Sequence, residues 1–199
     1  MNKLAIFSTA LIVALGAAAA AKAENSTLAI SLAGEAFDGA PVFEVRMGGI
    51  VIASGRLARP LDTKTEGRLY LSAEPLGYLE NFEFTIPENR FDPFADISIS
   101  LTNDRYVDEG HGHDRNLFIR SVAVNGAMRT GGELTAIAHG QNVDVAFQAG
   151  LLPVYEQGHA VVAAPPLEGW PSQPAAGAAQ AGLAVLPEHV VNELAQALR

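Results

Sequence analysis

The sequence contains no cysteine. That excludes disulfides, thiolate metal sites and a cysteine nucleophile together, so stability has to come from a packed core, alone or with a bound ion. Positive charge is also scarce, with 13 Lys and Arg against 22 Asp and Glu. A surface that acidic has no electrostatic footprint for nucleic acid or anionic lipid and suits neutral, cationic or metal-bridged partners. No G-x-S-x-G elbow occurs, and no apolar pocket is evident that would raise one carboxyl of an acid/base pair. The chain is therefore expected not to be an enzyme. His139, His159 and His189 stand apart in unlike contexts and read as surface or packing residues.

A long apolar run occurs once, at the start. Met1-Asn2-Lys3 is followed by Leu4 to Leu15, broken only by Ser8 and Thr9, then by alanines ending in Ala21-Lys22-Ala23. This is the pattern of a secretory signal peptide, with cleavage expected before Glu24 and a secreted or periplasmic destination. The other reading is a retained anchor, but a spanning helix needs roughly 20 strongly apolar residues and the tail of this run is alanine. Removing residues 1–23 of 199 leaves 176 residues. Lys3 and Lys22 leave with them, so 11 basic groups face 22 acidic ones, a net charge of about −11. No membrane contact is expected after cleavage.

From Thr27 to about Phe147 the hydrophobic period is 2. Leu28, Ile30 and Leu32 alternate with smaller or polar residues, as do Phe43, Val45 and Met47. Gly48-Gly49 then makes a two-residue hairpin signal before Ile50-Val51-Ile52-Ala53, since both turn positions need positive φ. Phe82, Phe84 and Ile86 form another inward set, closed by Pro87. Ile97, Ile99 and Leu101 follow. Phe118, Val122 and Val124 alternate with Leu117, Ile119 and Ser121, predicting a strand apolar on both faces. Asn125-Gly126 marks a turn, and Val143, Val145 and Phe147 alternate with Asn142, Asp144 and Ala146. Seven or so short strands without a helical period predict an all-β, antiparallel β-sandwich over 24–152. After Leu152 the prolines and the Ala/Gly/Gln stretch 175–181 predict a linker over 153–186. A short amphipathic helix is predicted over 187–199, with Val190, Val191, Leu194 and Leu198 as its apolar stripe and a possible protein partner.

The segment from Leu101 to Leu117 carries the chemistry. Asp104, Asp108, Glu109 and Asp114 place four carboxylates within eleven residues between two strands, and Arg105 and Arg115 offset only part of that charge. Such carboxylates repel unless solvated or sharing a cation, and hard oxygen ligands favour Ca²⁺, which takes 6–8 of them. Gly110 and Gly112 would let the backbone turn carbonyls inward. The spacing is not that of an EF-hand, because the third ligand position counted from Asp104 is Tyr106. Two other readings stand beside this one. The loop is also what an acidic surface turn looks like, and His111 and His113 would suit Zn²⁺ or Cu²⁺.

Thr102-Asn103-Asp104, the glycine-bearing loop, Asp114-Arg115-Asn116-Leu117-Phe118-Ile119 and Val122-Ala123-Val124-Asn125-Gly126 together resemble the C-terminal motif of the Ca²⁺-dependent xylan-binding carbohydrate-binding modules of families 36 and 60. Leu32-Ala33-Gly34, Pro41-Val42-Phe43-Glu44-Val45 and Gly49-Ile50-Val51 resemble their N-terminal hairpin less specifically. The likeness runs from Thr27 to Gly126, with a poor match between Leu57 and Gly77. It implies a jelly-roll in which Asp104 and Asp114 chelate Ca²⁺, with Asp108 a weaker ligand, and in which sugar hydroxyls complete the ion's shell. Arg115 and Asn116 match the motif and are expected to orient the ligands or pin the loop. Tyr106 is the best aromatic for stacking on a sugar face, and His111 and His113 would crowd or extend the site. The function implied is exported, non-catalytic binding of a xylan-like or related polysaccharide. The alternative is a structural or assembly protein in which Ca²⁺ only rigidifies the loop and the C-terminal tail recruits a partner.

Overall fold

The computed structural model describes residues 25–108, 112–143 and 149–172. The expected signal segment, residues 144–148 with Val145 and Phe147, and everything after Ser172, including the candidate helix, lie outside the described residues. The described strands in chain order are β1 (Ser26–Ala36), β2 (Val42–Met47), β3 (Ile50–Arg56), β4 (Leu61–Asp62), β5 (Glu80–Ile86), β6 (Ile97–Leu101), β7 (Tyr106–Val107), β8 (His113–Asp114), β9 (Asn116–Val124), β10 (Ala127–Thr130), β11 (Leu134–Ala138), β12 (Gln141–Val143), β13 (Leu152–Val154) and β14 (His159–Ala163).

They form an all-β sandwich. In the first sheet β1 is central, flanked by β9 on one side and by β5 and β4 on the other, with β10 and β13 on the far edge of β9. The second sheet runs β12-β11-β14-β6-β2-β3. Pairing is antiparallel except for the short β1–β4 contact. The inward sets read from the period-2 pattern meet between the sheets: Leu28, Ile30 and Leu32 face Phe43, Val45, Ile97, Ile99 and Val161, all buried. Gly48 and Gly49, at φ 56° and 82°, close the β2–β3 hairpin in the left-handed conformation that a two-residue turn requires.

One strand departs from strict alternation in a way that shapes the site. Period 2 groups Phe118 with Val122 and Val124, but the β1–β9 register slips between Ser31 and Leu32, leaving Arg120 as an extra residue on β9. This bulge reverses the facing of everything before it. Leu117 and Ile119 join Val122 and Val124 in the main core, whereas Phe118 turns to the outer face with Ala33, Leu61, Leu69 and Leu151. Asn116 turns outward with Phe118, onto the face that carries Glu35.

The described part of the stretch expected to be linker, residues 153–172, packs into the sandwich. β14 lies inside the second sheet, paired with β11 on one side and β6 on the other. Pro153 sits in β13, which pairs with β9 along one edge only, a position where the missing N–H is tolerated. Trp170 is buried in the main core, and its indole N–H donates to Ala95 O at 2.9 Å. The sandwich therefore extends at least to Ser172, because strand pairing and one large aromatic override the local proline content.

Candidate functional site

The acidic connection leaves the second sheet at Leu101 and enters the first at Asn116, so it crosses one end of the sandwich. Two of its polar residues, Asn103 and Arg115, are spent on backbone. Asn103 accepts the Val42 N–H at 2.7 Å and donates to Ala40 O at 3.0 Å. The Arg115 guanidinium donates to Gly39 O at 3.0 Å, Phe37 O at 2.6 Å, Asp38 O at 2.8 Å and also to Asn103 O. Between them, Asn103 and Arg115 clamp the β1–β2 turn, whose Asp38 and Gly39 take positive φ. A planar fork of donors suits four carbonyls that a flexible ammonium could not satisfy together.

A second network lies beside the clamp and joins Asp114 and Asn116 to two residues the sequence did not mark, Glu35 and Arg68. Glu35 is fully buried on β1, and its carboxylate accepts from Arg68 Nε at 3.1 Å, from the Leu69 N–H at 2.6 Å and from Asn116 Nδ2 at 2.6 Å. Arg68 also reaches Asp114 Oδ2 at 3.3 Å and donates to Gly112 O at 2.9 Å. Asn116 Nδ2 bridges to Asp114 Oδ2 at 3.0 Å. Arg68 thus neutralises two buried carboxylates and also takes the carbonyl of Gly112, one of the two glycines expected to turn carbonyls inward. It comes from the segment between Leu57 and Gly77, where the motif match is poor. Glu35, a charged residue on a strand otherwise rich in buried positions, was the available signal.

The remaining loop residues are less committed. Asp104 is partly buried, and its Oδ1 is buried without a hydrogen-bond partner among the described residues. Burial first, and the Asp114 charge second, hold the Asp104 carboxyl above the usual carboxylate range, with the backbone amides of Gln157 and Arg105 opposing them. Asp114 is buried, and its Oδ1 accepts only the Arg115 N–H at 2.9 Å, which leaves lone-pair capacity on that oxygen. Asp108 is exposed. His113 stacks on Phe37 with ring centroids 5.2 Å apart, and its Nδ1 is also buried without a partner. Glu109, Gly110 and His111 lie outside the described residues.

Three solvent-facing tyrosines surround this cluster. Tyr106 is 57% exposed and faces Asp114 across the β7–β8 ribbon. Tyr70 lies under the Arg68 guanidinium, 5.4 Å from its ring centroid. Tyr155 packs edge-on against Phe118 with ring centroids 6.4 Å apart, and burial first, then the Glu35 charge, raise its phenol above the ordinary range. A cleft lined by Leu69, Tyr70, Pro75, Phe118 and Leu151 adjoins Tyr70.

Two solved structures are similar to this chain. One is described as "vCBM60 in complex with galactobiose", with a TM-score of 0.40 and 10% identity, covering 69% of this chain and 97% of that one. The other, at a TM-score of 0.40 and 13% identity, covers 68% of this chain and 88% of that one; it is described as "Circular permutation provides an evolutionary link between two families of calcium-dependent carbohydrate binding modules. SeMet form of vCBM60". No family model matches the sequence, and no curated protein matches it.

Chemically, the site divides in two. On the Glu35–Arg68–Asn116 side both Glu35 oxygens are engaged, and Asn116 Oδ1 is buried without a hydrogen-bond partner among the described residues. The Asp104 side is open, offering an unpaired carboxylate oxygen and a second carboxylate with spare capacity. A hard divalent cation fits that donor set better than a further hydrogen-bond donor does, because it relieves burial and repulsion together.

Proposed function

We propose that this chain is an exported, non-catalytic module that binds a neutral polysaccharide, xylan-like or a related β-glycan, through Ca²⁺ held by Asp104 and Asp114. The observation that carries the reading is the buried, unpartnered Asp104 Oδ1 beside a second carboxylate. The sequence motif and the rim of Tyr70, Tyr106 and Tyr155 support it. A vicinal diol offers two neutral oxygens at fixed spacing and can replace two waters on an exposed Ca²⁺, while a tyrosine ring covers the apolar sugar face. Arg115 and Asn116 act by holding the loop and Asp114 in place, and Asp108 is a secondary ligand through its exposed carboxylate.

Calorimetry with xylan, galactan and mannan, with Ca²⁺ or with EDTA, tests the reading. Binding of one of these sugars in Ca²⁺ and none in EDTA is the expected result. A Ca²⁺-dependent melting shift with no sugar binding would favour a purely structural ion. Ca²⁺ at about a hundred times its Kd should add about 2.7 kcal/mol of stability, or roughly 5–10 °C in a domain of this size. The informative variant is Asp104→Asn, since Asp114 is also wired to Arg68 and Asn116. Asp104→Asn should lose the Ca²⁺ shift entirely and, without the ion, melt no lower than the parent. An acid whose pKa is raised in the folded state binds its proton more tightly there, so its charged form costs stability above that window and the cost disappears as pH falls through it. Any advantage of Asp104→Asn in EDTA should therefore shrink on acidification. An unchanged Ca²⁺ shift in this variant would remove the site assignment.

A further inference from the structure

His139 and His159, which the sequence leaves unrelated, converge with Glu156 at the end of the β11–β14 ladder. His159 Nε2 lies 2.8 Å from Glu156 Oε1 and His139 Nε2 lies 3.6 Å from the same oxygen. One ligand atom from each of the three residues falls within 4.8 Å of the others. Ligands on a tetrahedral zinc at about 2.0–2.1 Å stand roughly 3.3 Å apart, so the observed spacings bracket what one ion requires. The two imidazole rings meet edge to face at 5.4 Å, leaving the nitrogens free to point at a common centre.

The backbone holds these side chains in place. His139 begins the β11–β12 turn at φ 49°, and its N–H donates to Gly158 O at 3.2 Å. Gly158 has φ 93°, and a Cβ there would stand 3.1 Å from His139 Nδ1, so the glycine makes room for the ring. The His159 N–H donates to Glu156 O at 3.1 Å, closing the turn that presents the carboxylate. His139 and Glu156 face solvent, so a fourth ligand position would be open to water or to another molecule.

We propose that His139, Glu156 and His159 form a surface site for a borderline divalent cation, Zn²⁺ being the natural occupant of two imidazoles and one carboxylate. The site is separate from the Ca²⁺ reading: its nitrogen donors disfavour Ca²⁺, whereas the oxygen set at Asp104 does not favour zinc. Within the chain Tyr155, one of the tyrosines near that region, directly precedes Glu156.

The test is a Zn²⁺ titration by calorimetry of the full chain after chelator treatment, run with and without millimolar Ca²⁺. One saturable Zn²⁺ site that excess Ca²⁺ does not displace is expected. His139→Asn, chosen because asparagine tolerates the left-handed turn, and His159→Gln should each weaken zinc binding by at least tenfold while melting within a few degrees of the parent in EDTA. Glu156→Gln should weaken it less. Zinc affinity unchanged in both histidine variants would overturn the proposal by placing the ion elsewhere, as at His111 and His113. Absence of zinc binding by the folded parent would overturn it by leaving Glu156–His159 as a simple ion pair.

Discussion

A chain ending at Leu152 is expected to show no cooperative unfolding transition, whereas one ending at Ser172 melts cooperatively. The cut removes β14, which bridges β11 and β6, so the second sheet would fall into two unpaired pieces. It also removes Val154, Val161, Ala163 and Trp170 from the core. Loss of a buried Trp alone costs about 3–5 kcal/mol, against a total stability of about 5–15 kcal/mol for a typical domain. The lost strand pairing exposes β6 and β11 as apolar edges as well. Circular dichroism melts of the two chains decide it. A cooperative melt of the shorter chain within a few degrees of the longer one would show that the sandwich ends where the prolines begin.

The second large effect is expected at Arg68. Arg68→Ala leaves Glu35 and Asp114 buried without a cation, and breaking a buried pair in this way costs about 3–5 kcal/mol. For a domain of this size that is a fall of order 10 °C in melting temperature. Glu35 loses an ion pair at 3.0 Å, and its side chain has no exposure in the fold. Neutralising both partners, as Glu35→Gln with Arg68→Met, should recover most of the loss, since the penalty comes from the stranded charge more than from the missing attraction. Chemical denaturation of the single and double variants measures this. A single variant within 1 kcal/mol of the parent would mean that Arg68 is not what neutralises these carboxylates.

Arg68 also qualifies the physical idea that points to the loop. From the sequence alone, four clustered carboxylates point to a divalent ion among them. In the fold the cluster opens out. Arg68 serves Asp114 from outside the loop, Arg105 pairs with Asp38 at 3.1 Å, and Asp108 is exposed to water. What is left over is concentrated at Asp104. The cation is therefore argued from one orphaned carboxylate oxygen rather than from a count of acids.

The strands were legible because one buried face per strand writes itself as alternation, and the Gly48-Gly49 and Asn125-Gly126 turns punctuate it. The bulge at Arg120 was not legible: a one-residue insertion leaves no mark in composition, yet it decides that Asn116 reaches Glu35. The domain boundary was misread because Pro153 and Pro165-Pro166 look like linker, while Trp170, the residue that ties this segment to the core, is a lone aromatic without periodicity. The motif residues Asn103, Asp104, Asp114, Arg115 and Asn116 stood out by spacing, but spacing could not separate clamps from ligands. Glu35 and Arg68 lie 33 positions apart, and His139 lies 17 before Glu156, so those contacts exist only through the topology.

The most direct measurement is a crystal structure of the chain grown with millimolar Ca²⁺. The expected result is an ion about 2.3–2.6 Å from Asp104 Oδ1, sharing Asp114 and keeping solvent-facing positions where sugar hydroxyls can enter. An Asp104 carboxylate that remains without a metal under those conditions, with Ca²⁺ absent or bound elsewhere, would contradict it.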